Sequence, residues 1–266
     1  MSSNFHTHTK YCDGINSAEE MVLSAIEKGF DALGFSGHGF TPHDKSYCMT
    51  ETEKYLSEIN TLKEKYKDKI EIYAGVEEDI THILNRSDYD YILGSSHYFL
   101  INGKYFPVDD TPETFKMCFE LLGEDPYRMA HLYYSSFCDY ILKRKPDIVG
   151  HFDLITKFDE KHFPIFFGDK KYEEIAENYL TKALESDCIF EVNTGAISRG
   201  YRTTPYPHEK LLYVIKKNGG KVMINSDSHA TNTLDFHFAE TRKFLRDIGF
   251  TYVYTISKGE FVKDMM

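Results

Sequence analysis

DIVGHF (147–152) and CIFEVN (188–193) frame a stretch, 170–186, in which apolar residues recur at helical spacing. Two short β-branched and aromatic runs joined by one helix make a βαβ crossover, which sets its two strands parallel. The alternation continues in both directions. NFHTH (4–8), ALGFSGH (32–38), IEIYAGVE (70–77) and YILGSSH (91–97) read as strands upstream, and KVMINSD (221–227) as a seventh downstream. Helical patterns fill 17–28, 51–67, 113–142, 207–218 and 235–247, the third broken in two near Gly123 to Pro126. Seven such units predict an α/β barrel, as one domain over 1–266. YVYTIS (252–257) is a candidate eighth strand, and 98–112 and 156–169 read as loops after the fourth and fifth strands.

The 266 residues are 41% hydrophobic and 15% aromatic, enough to close a sizeable core, and no run approaches the roughly 18 apolar residues that would span a bilayer. The opening MSSNFHTHTK lacks the apolar stretch of a secretory signal. The five cysteines, Cys12, Cys48, Cys118, Cys138 and Cys188, are scattered without CxxC spacing, so the expected compartment is a reduced cytoplasm. A net charge of −11 disfavours a nucleic-acid partner and favours a small substrate.

Every predicted strand ends in or beside a histidine or carboxylate: His6 and His8, His38, Glu77, His97, His151, Glu191, and Asp227 with His229. In an α/β barrel these ends converge on one rim. His6 and His8 are two apart, so both rings lie on one strand face, and Asp227 and His229 repeat that spacing. A single histidine at a strand end is usually just a hydrogen-bonded polar group; six placed alike point to metal. Mixed imidazole and carboxylate donors suit zinc, manganese or iron, and so many ligands exceed the needs of one ion. His82, His131, His162, His208 and His237 fall on loops or helices and read as surface residues. Neither a G-x-S-x-G elbow nor a P-loop is present.

The motifs HTHT (6–9) with CDG (12–14), FSGHG (35–39), GVEED (75–79), GSSHYF (94–99), GHFDLI (150–155), EVNT (191–194) and NSDSHA (225–230) come in the order of the polymerase and histidinol phosphatase (PHP) superfamily. Within it the chain resembles the monofunctional histidinol-phosphate phosphatases. The resemblance implies a distorted (β/α)7 barrel and three divalent ions. It puts the first ion on His6, His8, Glu77 and Asp227. Glu77 would bridge to a second on His97 and His151, and Asp13, His38 and His229 would hold the third. Asn4 and Gly37 stand where the family often has aspartate, which leaves the shell around the ligands open.

On that reading a water shared by two cations becomes acidic enough near neutral pH to attack phosphorus in line. Glu77 is pivotal as the bridge, and Asp227 or a ligand histidine such as His229 would protonate the leaving alcohol. Arg199 is the first candidate to hold phosphate, with Arg202, Lys157 and His43 behind it; each also reads as a solvated loop charge. L-Histidinol phosphate comes from the resemblance alone. Glu191, Asp153 and rim aromatics are candidates to hold its amine or stack its imidazole. Alternatives are another small monoester or phosphotyrosine, nucleic-acid phosphodiesters, and a non-catalytic metal store. Nothing in the sequence addresses the oligomeric state.

Overall fold

The computed structural model describes residues 1–266. Its strands and helices follow in chain order as β1 (Ser3–Asn4), α1 (Ala18–Glu27), β2 (Ala32–Phe35), α2 (Thr52–Tyr66), β3 (Glu71–Asp79), β4 (Tyr91–Ser95), β5 (Tyr98–Ile101), β6 (Lys104–Pro107), α3 (Pro112–Leu121), α4 (Pro126–Arg144), β7 (Ile148–Val149), α5 (Lys170–Ala183), β8 (Ile189–Asn193), α6 (Gly195–Ser198), α7 (Glu209–Lys217), β9 (Lys221–Asn225), α8 (Phe238–Ile248), β10 (Tyr252–Ser257) and β11 (Glu260–Met265). Seven parallel strands lie side by side as β1-β2-β3-β4-β7-β8-β9. The ends of the sheet meet where His8 N donates to Ser228 O at 2.8 Å and Ser228 N to His6 O at 3.0 Å. The seven-stranded barrel expected from the alternation is the fold found. Its distortion is visible at the β3–β4 connection, which carries a single 3-10 turn, Arg86–Asp88, in place of a helix.

Local chemistry fixes the helix starts. Ser17 and Glu20 form a reciprocal capping box on α1, and Thr111, Asp125 and Asp169 cap α3, α4 and α5, with Pro112 and Pro126 in the first turns of α3 and α4. The strands are buried on both faces, which explains why they read as continuous apolar runs instead of alternating ones.

Two sequence expectations change here. The segment 98–112 is not a loop: β5 and β6 pair as an antiparallel hairpin turning at Asn102 and Gly103, both at positive φ. The run 252–257 is a strand, but it pairs with β11 outside the barrel. Its Ile256 packs with Phe5, Tyr73, Tyr91 and Leu93 in the barrel interior.

The interior is organised by Tyr91, fully buried, whose hydroxyl donates to the carbonyls of Phe5 at 2.8 Å and Phe35 at 3.1 Å. The ring lies over two glycines. A Cβ on Gly75 would sit 2.3 Å from it, and one on Gly34 2.5 Å from its hydroxyl. Gly75→Ala is therefore expected to destabilise the protein by about 2–3 kcal/mol in chemical denaturation. In a Tyr91→Leu background most of that penalty should vanish, and an undiminished penalty there would contradict the account.

Candidate metal centre

Closure of the barrel brings the two histidine-bearing strand ends together. Thr7 pairs with Ser228, so His6 and His8 extend from the end of β1 beside Asp227 and His229 just past β9. Asp227 takes a left-handed backbone, φ 49°, which aspartate tolerates better than most residues. The stacked rings of His8 and His229 are 4.0 Å apart.

Glu77 occupies the middle, with its side chain wholly buried. Its Oε2 lies 2.9 Å from His38 Nδ1, 3.2 Å from His6 Nε2 and 3.6 Å from His8 Nε2, and its Oε1 lies 3.0 Å from His151 Nε2 and 3.3 Å from His97 Nε2. Asp227 Oδ1 faces His8 Nε2 at 3.2 Å and His6 Nε2 at 3.6 Å. At the outer edge Asp13 Oδ2 meets His229 Nε2 at 3.1 Å and His38 Nε2 at 3.7 Å. All nine residues expected to ligate metal are thus in one cluster. Four overlapping groups have donor atoms close enough to share an ion: His8, Asp13, His38 and His229; His6, Glu77 and His151; His6, His8 and Asp227; and His38, Glu77 and His97. The fit is tested by what the protein leaves unpaired. His6 Nε2, His8 Nε2 and Glu77 Oε2 are buried without a partner in hydrogen-bonding geometry, and unpaired buried polar atoms are costly. All three point into the cluster, as ligands of a divalent cation would.

Carboxylates support the rings of the cluster from behind. Glu191 Oε1 accepts from His6 Nδ1 at 2.7 Å, and Asp79 Oδ2 from His97 Nδ1 at 3.1 Å. Asp79 was missed in the sequence, although strand period two puts it on the same face as Glu77. Glu78, between them, points the other way to pair with Arg144 and Tyr140. Asn4 is also accounted for: its Oδ1 accepts from the amides of His6 and Ser226, as an aspartate could, and its Nδ2 donates to Ser226 Oγ, as an ionised aspartate could not.

The expected phosphate and amine contacts divide. Arg199 reaches the cluster, donating to Asp227 Oδ2 at 2.8 Å and Asp227 O at 3.0 Å. Lys157 lines a hollow of about 420 Å³ beside His38 and His97, with its ammonium on Asp109. Arg202 is instead fully buried, donating to Thr156 Oγ1 and stacked 4.3 Å over the Tyr206 ring, so it ties loops together. His43 is exposed and stacks on Tyr105 of the β5–β6 hairpin at 4.4 Å, a contact hidden while 98–112 read as a loop. Glu191 is saturated by His6, Asn193, Asn225 and the His151 amide, which leaves it no face for a substrate amine. Asp153 is fully buried beside Arg202 and the His208 amide.

A family model described as the PHP domain matches residues 4–195. The chain belongs to that family. Among similar proteins, "Probable histidinol-phosphatase" of Schizosaccharomyces pombe is 26% identical over 97% of this chain and 90% of its own length. Histidinol-phosphatase of Bacillus subtilis is 25% identical over 88% and 95%. The crystal structure of histidinol phosphate phosphatase from Lactococcus lactis, complexed with zinc, L-histidinol and phosphate, superposes with a TM-score of 0.74 at 20% identity, covering 98% of this chain and 99% of that one. The PHP barrel is thus shared along almost the whole chain.

Electrostatics tie the PHP cluster to protons. Burial opposes charge on Glu77, but His6, His38 and His97 outweigh it and hold the carboxyl well below its ordinary range. Burial likewise lowers His6, His38 and His97, yet the facing carboxylates win: His6 and His97 are held well above the ordinary imidazole value and His38 is raised. The metal-free cluster therefore carries protons at neutral pH that a cation must displace. Metal loading at pH 7 should release about two or more protons per chain, and metal affinity should keep rising with pH beyond about 6.5. Calorimetric titration with zinc in two buffers of different ionisation enthalpy reads this directly; loading without proton release would refute it.

Proposed function

We propose that this protein hydrolyses L-histidinol phosphate to L-histidinol and phosphate, a step of histidine biosynthesis, at a centre of three divalent ions drawn from zinc, manganese or iron. The observation that carries the reading is Glu77, buried with one oxygen toward His6, His8 and His38 and the other toward His97 and His151. A carboxylate so placed is suited to bridge two cations. His6, His8, Glu77 and Asp227 would hold one ion, Glu77, His97 and His151 the second, and Asp13, His38 and His229 the third. Metal at this position supplies an acidified water and neutralises phosphoryl charge.

The remaining steps fall to the chain's own groups. Arg199 keeps Asp227 anionic: despite burial, its guanidinium and His6 hold the carboxyl well below the usual range. Asp227 is thereby suited to ligate metal in its charged form, and the leaving alcohol oxygen would take its proton from Asp227 or a ligand histidine such as His229. Arg199 and Lys157 are the cations available to phosphoryl oxygens; Lys157 lines the hollow, and the Arg199 side chain is one-third exposed. The wall of the hollow favours a substrate bearing an amine. Asp44, Asp109 and Asp110 line it with Tyr47 and Tyr98, and Lys157 is its one lysine or arginine. Such a wall attracts a cationic nitrogen and repels a second phosphate.

Two measurements test the reading. Metal-loaded protein should release phosphate from L-histidinol phosphate faster than from p-nitrophenyl phosphate or a nucleoside monophosphate, and leave a dinucleotide intact; equal rates on all monoesters would reject the substrate, and action on the dinucleotide alone would reject the class. Asp44→Asn and Asp110→Asn should each raise KM for L-histidinol phosphate roughly fivefold, about 1 kcal/mol, with little change for p-nitrophenyl phosphate. Equal effects on both substrates would remove the carboxylates from amine recognition.

A further inference from the structure

The rings around Glu77 are not held alike. His6 and His97 each have a carboxylate behind Nδ1, and His229 Nδ1 lies 3.0 Å from the carbonyl of Asp227. Behind His8 stands a thiol: Cys12 Sγ is 3.5 Å from His8 Nδ1 and 3.4 Å from the Thr9 carbonyl. Asp13 Oδ1 lies 3.4 Å from the same nitrogen, outside hydrogen-bonding geometry, while Asp13 Oδ2 faces His229 and His38. With Nε2 of His8 turned to the centre, Nδ1 carries the hydrogen, which sulfur can accept while its own S–H donates to Thr9 O.

The thiol has this place because residue 37 has no side chain. A Cβ on Gly37 would lie 2.9 Å from Cys12 Sγ, inside the distance any real contact shows. The turn carrying Cys12 has little freedom to yield. Cys12 N and Gly14 N both donate to Thr9 O, and a Cβ on Gly14 would fall 2.5 Å from Thr9 N.

We propose that Cys12 is a positioning residue for His8, seated by the missing side chain at Gly37, and that this pair sets how firmly the centre keeps the ion at its His8 corner. The inference rests on the reading of His8 as a metal ligand. A neutral sulfur polarises an imidazole less than a carboxylate does, so Cys12 backs His8 more weakly than Glu191 backs His6 or Asp79 backs His97. Partners behind a metal-bound histidine typically alter metal affinity by about 10–100-fold, and a thiol belongs at the lower end.

The test compares the full-length wild type with Cys12→Ala, Cys12→Ser, Gly37→Ala and the double variant Cys12→Ala/Gly37→Ala. Each is loaded with zinc and, separately, with manganese. Loss of metal to excess EDTA is followed in time, and the unfolding of each metal-free variant is recorded to show that it folds. Cys12→Ala should lose one ion about tenfold faster than wild type, and Cys12→Ser should recover much of the difference because a hydroxyl can also accept from Nδ1. Gly37→Ala should match Cys12→Ala. The double variant should be no worse than Cys12→Ala alone, since residue 37 acts only through the thiol.

Wild-type release kinetics in Cys12→Ala would overturn the proposal, as would a Gly37→Ala defect that persists undiminished in the Cys12→Ala background. A sulfur-to-cobalt charge-transfer band in the cobalt-loaded wild type would also overturn it, making Cys12 a ligand. If Gly37→Ala fails to fold, the Cys12→Ala and Cys12→Ser pair still decides. A wild-type protein that retains no metal would sink the metal-centre reading itself, a result distinct from an unchanged Cys12→Ala.

Discussion

An isolated carboxylate in a protein interior costs several kcal/mol even after relaxation, and Glu77 is buried at the hub of a barrel. Everything around it serves to offset that cost. Five imidazoles face its two oxygens, and behind the first ring of groups stand further carboxylates, Glu191 and Asp79, that balance the imidazoles in turn. Such a cluster is stable with protons on several rings or with cations among them. Exchanging one for the other is what makes folding, metal loading and pH a coupled problem in this protein.

The barrel supplies the placement. Seven parallel strands deliver their carboxyl ends to one rim, and the sheet closes where Thr7 meets Ser228, so two pairs of candidate ligands from opposite ends of the chain become neighbours. Below the ligands the interior is plugged by Tyr91 lying over Gly34 and Gly75, with Ile256 from the terminal hairpin packed among the same residues. The polar rim therefore sits on a solid apolar floor, which limits how far any ligand can retreat from the centre.

Much of this is legible in the sequence because both signals are local. Buried parallel strands write themselves as short apolar runs, and a histidine or carboxylate at the end of each run is visible without knowing what it faces. What stayed hidden is whatever depends on partners far along the chain. Nothing near Glu191 shows that His6 consumes one of its oxygens, nor near Arg202 that Thr156 and the Tyr206 ring enclose it. The β5–β6 hairpin was obscured for another reason: a two-residue turn at Asn102-Gly103 inside a segment containing glycine and proline reads as loop unless the flanking YFLI and KYFP are read as strands. Asp79 is a different case, since strict application of strand alternation from Glu77 would have found it.

Glu77 is the point at which fold, electrostatics and chemistry meet, and replacing it with glutamine removes the charge with almost no change in shape. The most direct measurement is to determine bound metal per chain and turnover of L-histidinol phosphate together in Glu77→Gln and wild type. The account predicts a variant that unfolds cooperatively like the parent, retains fewer ions and loses turnover by about a thousandfold or more. A Glu77→Gln protein with full metal content and near-parental turnover would contradict it.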